Sequence, residues 1–535
     1  MSLFGEWTPE DWLFLGALVG IYWMLAILIG NSQFMKERGL TAWGPVIFWR
    51  TSRGQNLLDT LARPKTLWRI VASAGVPLVV ISMAYFLALV LLMGYLMISS
   101  PPQPSSYNAP RNILLIPGIN QFIPLIAWIG LFITLLVHEF AHGILARVEG
   151  IKVKSMGLAL LAVPIAAFVE PDDEELFGTA QKPAKASRKA RIRILAAGVI
   201  ANFLVAAIAI ALFFGPVMGA ISPIDRVVVA DVQNSSIGDL AGFSQNMAVL
   251  KSNGLDVANL DQLNASLSRK SSTMRMLAEG EEKDLILKGD PVRCIMVASV
   301  FQDSPASGAG MPSKFVIFAI DGQAIDSVDD FRRDMNSTAP GQNITIATNY
   351  GSYNVRLASK PDGTSLIGIG ISGNALYESG VTFQEFPAEQ FQTMLHNLPQ
   401  RGINAFLAVY LGLPFTGIVG QTSGGFQGFS GMLEYYFEPS GWAAPLGSNF
   451  FWIADILFWI GWINLYAGLF NCLPAVPLDG GHIFRDLIQA GLERVVNVNR
   501  AEKLTRTVVA VFAWVIFASL IISVMAPYLA HGFSI

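Results

Sequence analysis

The stretch Val137-His138-Glu139-Phe140-Ala141-His142-Gly143 lies near the end of a long apolar run that begins around Gln121. On a helix, His138 and His142 are one turn apart and lie on the same face. The pattern is H-E-x-x-H, in which two imidazoles hold a zinc ion and the glutamate handles protons. Ionisable side chains in an apolar helix are costly and usually mark function. The stretch therefore predicts a metal site inside a membrane-spanning helix.

The composition indicates a membrane protein. Of the 535 residues, 53% are hydrophobic and only 14% are charged, a balance that is typical of multi-spanning membrane proteins. The formal net charge of −3 gives no indication of a nucleic-acid partner. The chain has only two cysteines, Cys294 and Cys472, which excludes a disulfide framework and a cysteine-rich metal site.

Six apolar stretches are predicted to cross the membrane. They are Asp11–Gly30, Val76–Ile98, Gln121–Arg147, Ile194–Val217, Phe450–Leu473 and Thr507–Ala526. Lysine and arginine concentrate in the loops between alternate stretches, so the positive-inside rule places these loops in the cytoplasm and both termini outside. The same rule places the two histidines near the cytoplasmic face. The segment 402–420 is apolar but rich in Gly and Pro, and here an interfacial element fits as well as a span.

The apolar segment Ile151–Glu170 is too short and irregular for a further span. Gly157 and Pro164 interrupt it, and its ends are rich in residues that favour strands. We predict a membrane-associated β-hairpin, whose unpaired backbone groups must be shielded by protein or water.

A charged middle region, residues 224–373, repeats itself. The pattern that begins at Val229 recurs without a gap from Val297, 68 residues later (297 − 229), and such an offset favours two copies of one module. The second copy resembles a PDZ domain, an α+β module that takes an extended peptide as an added strand. We expect two extracytoplasmic PDZ-like domains, at 223–290 and 291–376, followed by an amphipathic or interfacial linker at 377–449.

A third metal ligand is predicted at the end of the fifth span. The sequence there runs Asn471-Cys472-Leu473-Pro474-Ala475-Val476-Pro477-Leu478-Asp479-Gly480-Gly481-His482. This places the Asp479 carboxylate at the same membrane depth as the two histidines. A catalytic zinc takes three protein ligands and keeps one open position. The residues alone leave open that the histidines form a polar packing cluster, and that Asp479 belongs to an Asp-Gly-Gly turn. We interpret His482 as a neighbour and not as a fourth ligand.

Together these motifs resemble the site-2 protease family of intramembrane zinc metalloproteases. The resemblance rests on H-E-F-A-H-G, a later G-x-x-x-N, the PDZ-like modules and N-x-x-P-x-x-P-L-D-G-G, in this order. It implies a polytopic α-helical membrane protein with about six transmembrane helices, a membrane-associated β-hairpin and an inserted pair of PDZ-like domains. The catalytic core is expected at 121–222 and 450–489, with two helices in 1–120 and a final helix in 490–535. The implied roles are zinc ligands at His138, His142 and Asp479, the catalytic acid-base at Glu139, and substrate-binding or structural positions at Gly198, Asn202 and Asn471.

The resemblance implies an intramembrane zinc endopeptidase. Its substrates would be transmembrane segments of single-span proteins whose ectodomain has already been trimmed, and the hairpin would pair with the extended substrate. The PDZ-like pair would bind a peptide or act as a size filter. The alternative is a catalytically inactive membrane scaffold or chaperone of the same fold, but the intact Glu139 favours an enzyme. A transporter is less compatible, because the chain lacks paired interrupted spans in corresponding halves.

Overall fold

A computed structural model describes residues 9–51, 54–105, 108–112, 115–161, 163–179, 182–267, 271–278, 281–415 and 425–532. The chain divides into two compact units. The first, here called the membrane unit, comprises Met1–Phe213 and Asp455–Ile535. The second, here called the β unit, comprises Phe214–Ala454. The catalytic motifs predicted from the sequence all lie in the membrane unit.

The first part of the membrane unit alternates helices with four short strands. In chain order the elements are α1 (Pro9–Asn31), α2 (Gln33–Glu37), β1 (Leu40–Trp43), β2 (Val46–Thr51), α3 (Gln55–Leu61), α4 (Lys65–Ser99), α5 (Ala127–Val148), β3 (Val153–Leu161), β4 (Val163–Pro171), α6 (Asp173–Phe177) and α7 (Arg188–Leu212).

The predicted hairpin at 151–170 is present as β3 and β4, and it belongs to a larger sheet. The four strands form an antiparallel sheet in the order β1-β2-β3-β4. Ile47 on β2 lies opposite Leu160 on β3, and the Tyr22 hydroxyl of α1 donates to the carbonyl oxygens of Pro45 and Leu160. Strands β1 and β2 were not predicted, because residues 40–51 lie in a segment that reads as a basic loop.

The β unit contains most of the strands. Its elements are β5 (Ile221–Pro223), β6 (Val227–Val232), α8 (Ile237–Leu240), β7 (Ala248–Ser252), β8 (Leu255–Asp256), α9 (Leu260–Ser266), β9 (Ser272–Ala278), β10 (Glu281–Leu287), β11 (Val292–Val300), α10 (Pro305–Gly308), β12 (Phe315–Ile320), β13 (Gln323–Ala324), α11 (Val328–Asn336), β14 (Asn343–Thr348), β15 (Gly351–Arg356), β16 (Ala358–Ser359), β17 (Ser365–Leu366), β18 (Ile369–Glu378), β19 (Val381–Glu385), α12 (Ala388–His396), α13 (Ile403–Gly412) and β20 (Phe437–Pro439).

The main sheet of the β unit has equivalent strands in the same order when it is followed inward from either edge. Its strand order is β10-β9-β7-β6-β19-β18-β11-β12-β14-β15, with β8 paired to β7 and β13 paired to β12. The elements β6, α8, β7, β8 and α9 recur as β11, α10, β12, β13 and α11 in the second copy of the repeat. Each half has its own apolar core, around Val229 and Phe383 in the first half and around Val297 and Ile317 in the second.

The repeat therefore appears in the structure as two half-sheets that share a central hairpin, β18-β19. The first half-sheet is completed by β19, which pairs with β6. This strand lies outside the expected boundaries 223–290 and inside the expected linker 377–449. A strand joins whichever edge is open to it in space, so its distance along the chain does not predict its partner. The identification of the two halves as PDZ domains remains a prediction.

The chain ends with three helices, α14 (Asn449–Asn471), α15 (Asp479–Leu492) and α16 (Val498–His531). Helix α14 begins in the last residues of the β unit, and the rest of it belongs to the membrane unit. Helix α16 runs alongside α4 in the same direction. A Cβ atom added to Gly94 would lie 2.7 Å from the Ser519 Oγ atom, and the His531 ring lies 2.9 Å from the carbonyl oxygen of Pro101. The basic first turns of α4 and α16 therefore lie at the same end of the helix bundle.

Five helical segments of the described residues are long and apolar enough to cross a membrane. They are Lys65–Ser99, Ala127–Val148, Arg188–Ala220, Asn449–Asn471 and Val498–His531. Helix α1 covers the first predicted span, but its apolar part 16–31 is counted among shorter helices, so the number six remains a prediction. In the segment 402–420, α13 is also a short apolar helix, and residues 416–420 lie outside the described residues.

Candidate metal centre

Helix α5 carries the two histidines of the predicted site. It runs from Ala127 to Val148 and is followed by Gly150, whose φ of 77° ends the helix in the left-handed conformation. His142 is buried, with 9% of its surface exposed. Because the helix presents residues four apart on one face, both imidazoles point to the same side.

The predicted third ligand, Asp479, is the first residue of α15. Two glycines follow it, and Cβ atoms at these positions would lie 2.2 Å from the carbonyl oxygen of Cys472 and 2.4 Å from the carbonyl carbon of Ala475. The backbone thus folds closely on itself between α14 and α15, and only glycine fits. This turn brings the Asp479 carboxylate to the histidines of α5.

The three predicted ligand atoms form a nearly equilateral triangle. The Asp479 Oδ2 atom lies 3.1 Å from His138 Nε2 and 3.2 Å from His142 Nε2, and the two Nε2 atoms are 3.1 Å apart. A tetrahedral zinc site with ligand distances of about 2.0–2.1 Å has ligand atoms about 3.3 Å apart. Asp479 Oδ2 is also buried and without a hydrogen-bond partner. The donor set and its spacing fit a zinc ion.

The second ring nitrogen of His142 determines which nitrogen can bind a metal. His142 Nδ1 lies 2.7 Å from the carbonyl oxygen of Ile194 on α7. A carbonyl oxygen only accepts, so Nδ1 carries the proton and donates it. The lone pair is therefore on Nε2, which faces Asp479. The sequence contains no signal for this backbone partner.

Asn202, one of the predicted substrate-binding residues, contacts a histidine. Its side-chain amide lies 3.1 Å from His138 Nδ1, and its Oδ1 atom is buried without a partner. If His138 binds a metal through Nε2, its Nδ1 carries a proton and needs an acceptor. Rotation of the amide by about 180° places Oδ1 there and satisfies both groups. In that arrangement Asn202 would fix the orientation of the His138 ring.

Gly198, also predicted for substrate binding, lies against both imidazoles. A Cβ atom at this position would be 2.5 Å from His142 Nε2 and 2.6 Å from His138 Cε1. The missing side chain is what allows α7 to approach α5 this closely.

Glu139 is held by the β-hairpin. Its Oε2 atom accepts a hydrogen bond of 2.9 Å from the backbone N–H of Val169 on β4. The edge of β4 is therefore adjacent to the residue predicted to transfer protons. Because strand residues alternate in direction, Ala167 presents its backbone groups on the same side as Val169. This contact was not predicted, since the sequence shows a hairpin but not its orientation.

A cavity of about 340 Å³ surrounds the centre, and both Asn471 and His482 line it. The ring of His482 lies 5.3 Å from that of Phe177, and the three-residue cluster with metal-ligand spacing contains His138, His142 and Asp479 but not His482.

The Asp479 carboxylate is suited to a cation. Its Oδ2 atom is buried, and a buried carboxylate is stable when it pairs with a cation or coordinates a metal.

An ion pair that the sequence analysis missed ties α7 to α15. Arg191 Nε and Nη2 lie 2.5 Å and 3.0 Å from the two carboxylate oxygens of Asp486. Asp486 is buried, with 1% of its surface exposed. The pair links the helix of Gly198 and Asn202 to the helix of Asp479. Neither residue belongs to a recognisable motif.

One family of known proteins matches most of the chain. The family model described as "Peptidase family M50" matches residues 126–516, which is more than half of the chain. The chain belongs to peptidase family M50. The matched range includes α5 and α15, which carry the three candidate ligands of this M50 member.

Two similar proteins match this M50 chain over different lengths. An uncharacterised protein of Methanocaldococcus jannaschii is 34% identical over 186 residues, which cover 35% of this chain but only 46% of that protein. The protease RseP of Yersinia pestis is 24% identical over 412 residues, which cover 66% of this chain and 87% of RseP. Family membership and the five apolar helices indicate an integral membrane protein of polytopic fold.

Proposed function

We propose that this chain is an intramembrane zinc endopeptidase that cleaves transmembrane segments of single-span membrane proteins. The observation that carries the proposal is the triangle of His138 Nε2, His142 Nε2 and Asp479 Oδ2, with Glu139 next to it on α5. Membership of family M50 supports the proposal, and one relative is named a protease.

The chemistry divides between the metal and Glu139. A zinc ion held by His138, His142 and Asp479 would supply Lewis acidity, which polarises a peptide carbonyl and lowers the pKa of water. Glu139 accepts the proton of the attacking water and passes it to the leaving amine. Asn202 and the carbonyl oxygen of Ile194 hold the two imidazoles in the required orientation. Asn471, on the cavity wall, is proposed to contact the substrate.

The hairpin is proposed to bind the substrate as an added strand. Among the described strands, β1 and β4 are the two edges of this sheet, and β4 is the edge whose Val169 contacts Glu139. A helical substrate hides its carbonyl groups in its own hydrogen bonds. Pairing with β4 next to Glu139 would hold the substrate extended and expose the peptide bond.

The β unit is proposed to lie outside the cytoplasm, together with both termini, and the metal centre near the cytoplasmic face. A cavity of about 620 Å³ lies beside the central hairpin β18-β19, and residues of α9, the Ser327 position before α11 and the first turn of α12 also line it. Its walls are rich in polar side chains such as Arg226, Arg293 and Asn374. This cavity is proposed to take an extended peptide or to exclude ectodomains that have not been trimmed.

The test compares the purified full-length protein with its Glu139→Gln variant. Both are incubated in detergent with a panel of single-span substrates, and their zinc content is measured. We expect cleavage to fall about 10²–10⁴-fold in the variant and zinc content to stay the same. Glu174→Gln, which alters an exposed carboxylate on α6, serves as the control.

Two outcomes would contradict the proposal. Cleavage that survives both Glu139→Gln and a chelator excludes the zinc peptidase. A wild-type protein that binds zinc but cleaves none of the substrates favours the alternative, an inactive membrane scaffold of the same fold.

A further inference from the structure

A basic pocket lies at the end of α5 in the membrane unit. This cavity of about 360 Å³ is lined by four cationic side chains and one carboxylate: Arg63, Lys65, Arg147, Lys152 and Asp59. Pocket walls with an excess of positive charge attract anions.

One of the four cations is paired with the carboxylate inside the pocket. Arg147 Nε lies 3.2 Å from Asp59 Oδ1, and its Nη2 donates to Gln55 Oε1 at 3.2 Å. Arg63, Lys65 and Lys152 are exposed and form no ion pair within 4 Å among the residues that the structure describes. Arg63 and Lys65 are therefore available to a ligand, and Lys152 adds positive charge that Glu175, bound to its backbone N–H, partly offsets.

An apolar groove lies next to this pocket, between α3, α4, α5 and α7. Its volume is about 520 Å³. Its wall includes Leu57, Leu61, Trp68, Phe140, Ile144 and Ala201. The Trp68 indole, the polar group in this wall, donates to the carbonyl oxygen of Leu61. The groove is therefore lined by apolar surface that suits an apolar ligand.

The pocket and the groove share their walls in a fixed order. On α4, Lys65 lines the pocket and Trp68 lines the groove; on α5, Arg147 lines the pocket and Phe140 lines the groove. Arg147 and Phe140 are seven positions apart, which corresponds to about 10 Å along the helix. Positive charge therefore lies at the end of the helix, and apolar surface follows one to two turns deeper in the membrane.

We propose that the pocket and the groove together bind one anionic phospholipid. Its phosphate headgroup occupies the basic pocket and an acyl chain occupies the groove. The lipid contacts α5 at Phe140 and Ala141, which lie between the two histidine ligands in the sequence. The bound lipid would support the helix of the metal centre from the side that faces the bilayer. This inference does not depend on the proposed peptidase activity.

The test measures lipid binding to the full-length protein in detergent by native mass spectrometry. Phosphatidylglycerol and phosphatidylcholine with the same acyl chains are titrated separately. We expect the wild type to prefer phosphatidylglycerol, and the variant Arg63→Gln/Lys65→Gln/Lys152→Gln to bind it about 100-fold more weakly. Binding of phosphatidylcholine should not change.

A matched control removes three positive charges elsewhere at the same end of the helix bundle. The variant Arg494→Gln/Arg500→Gln/Lys503→Gln alters the loop before α16 and its first turns, which lie at the same end of the bundle as Lys65. We expect it to bind phosphatidylglycerol like the wild type. If the triple pocket variant does not fold, the single change Lys65→Gln at an exposed side chain should still cost about fivefold.

Two further measurements distinguish the contribution of the lipid headgroup from that of the acyl chain. Ala201→Trp narrows the groove and should weaken phosphatidylglycerol binding without altering the pocket. Inorganic phosphate or glycerol phosphate should not displace the lipid at equal concentration. Equal binding of both lipids by the wild type, equal losses in the two triple variants, or full displacement by free phosphate would each overturn the proposal.

Discussion

The Asn202 side chain contacts one of the two histidines of the candidate metal centre. The sequence pattern alone allowed either a substrate contact or a structural hydrogen bond. In the structure the amide lies 3.1 Å from His138 Nδ1, and its Oδ1 atom is buried without a partner. Partners of this kind fix the orientation of a metal-binding histidine and raise its basicity.

We expect Asn202→Ala to weaken zinc binding about 10–100-fold, because His138 loses the acceptor for its Nδ1 proton. The measurement is competition with a chelator of known zinc affinity. Asn202→Asp keeps an oxygen acceptor at this position and should restore most of the affinity. Unchanged zinc affinity in Asn202→Ala would show that Asn202 does not orient the ligand.

Glu378 is the second residue whose environment has a measurable consequence. It lies in the β unit at the end of β18, with 1% of its surface exposed and no hydrogen-bond partner for either carboxylate oxygen. Burial, with a smaller contribution from Asp290, raises its pKa from 4.5 to about 7. The folded protein thus holds a proton that the unfolded chain releases at lower pH.

This difference predicts a stability that falls as pH rises. Below about pH 4.5 Glu378 is protonated in both states, and it does not change the free energy of unfolding. Between about pH 4.5 and 7 only the unfolded chain has released the proton, so the free energy of unfolding decreases, by about 2 kcal/mol in total. Above about pH 7 this contribution is constant.

Glu378→Gln should remove this part of the pH dependence. The measurement is the unfolding temperature of the full-length protein in detergent from about pH 5 to pH 8, with Glu281→Gln on the exposed strand β10 as the control. Parallel curves for the wild type and Glu378→Gln would contradict the assignment.

Among the elements, β4 has the clearest functional consequence. Its backbone contacts Glu139 at Val169, and Ala167 presents its N–H on the same side. Ala167→Pro removes this N–H without removing a bond of the β3-β4 ladder, as proline is tolerated at strand edges. We expect cleavage of a membrane substrate to fall about tenfold, from the loss of one or two backbone hydrogen bonds, with zinc content unchanged.

The control for this change is Ala167→Val, which keeps the N–H and should retain most of the activity. Substrate cleavage by Ala167→Pro at the wild-type rate would place the substrate elsewhere. A loss of zinc in the proline variant would instead show that the strand supports the metal centre.

The predicted helices and strands differ in how much of their folding is local. The helices α4, α5, α7, α14 and α16 were anticipated from sequence, because each satisfies its own backbone groups and needs only an apolar run of sufficient length. Strands β1 and β2 were not anticipated. Their hydrogen bonds are made to each other and to β3, more than a hundred residues away, and no local pattern records that partner.

Across the whole membrane unit, Arg191 and Asp486 join two distant parts of the chain. The change Arg191→Met removes the bidentate partner of the buried Asp486 carboxylate and leaves it with the more distant Arg485, whose Nη2 atom lies 3.7 Å from Asp486 Oδ1. It should lower the free energy of unfolding by about 3 kcal/mol. The double variant Arg191→Met/Asp486→Leu removes both charges and should recover most of this loss. Both effects are measured by thermal unfolding, together with zinc content.

The more exposed pair Arg188–Glu493 is the matched control, because it joins α7 to the residue after α15. Its side chains are 34% and 25% exposed, so breaking it should cost less than about 1 kcal/mol. Equal effects of the two pairs would show that burial does not determine their contribution.

In the β unit, the sequence predicted the repeat but not all of its strand pairing. Two copies could be recognised because the same residues recur at one offset. The strand that completes the first copy could not be recognised in the sequence. This strand, β19, follows the second copy along the chain but pairs with β6 of the first.

The sequence alone determined the candidate metal ligands, His138, His142 and Asp479, together with Glu139 and the apolar helices that surround them. These follow from residue type and spacing, because an imidazole pair on one helical turn and a buried carboxylate have few other uses in a membrane. The tertiary structure decided what each polar group pairs with: Asn202 with His138, Glu139 with Val169 and Arg191 with Asp486. Such pairings depend on which groups burial leaves unsatisfied, and only the packed chain specifies that.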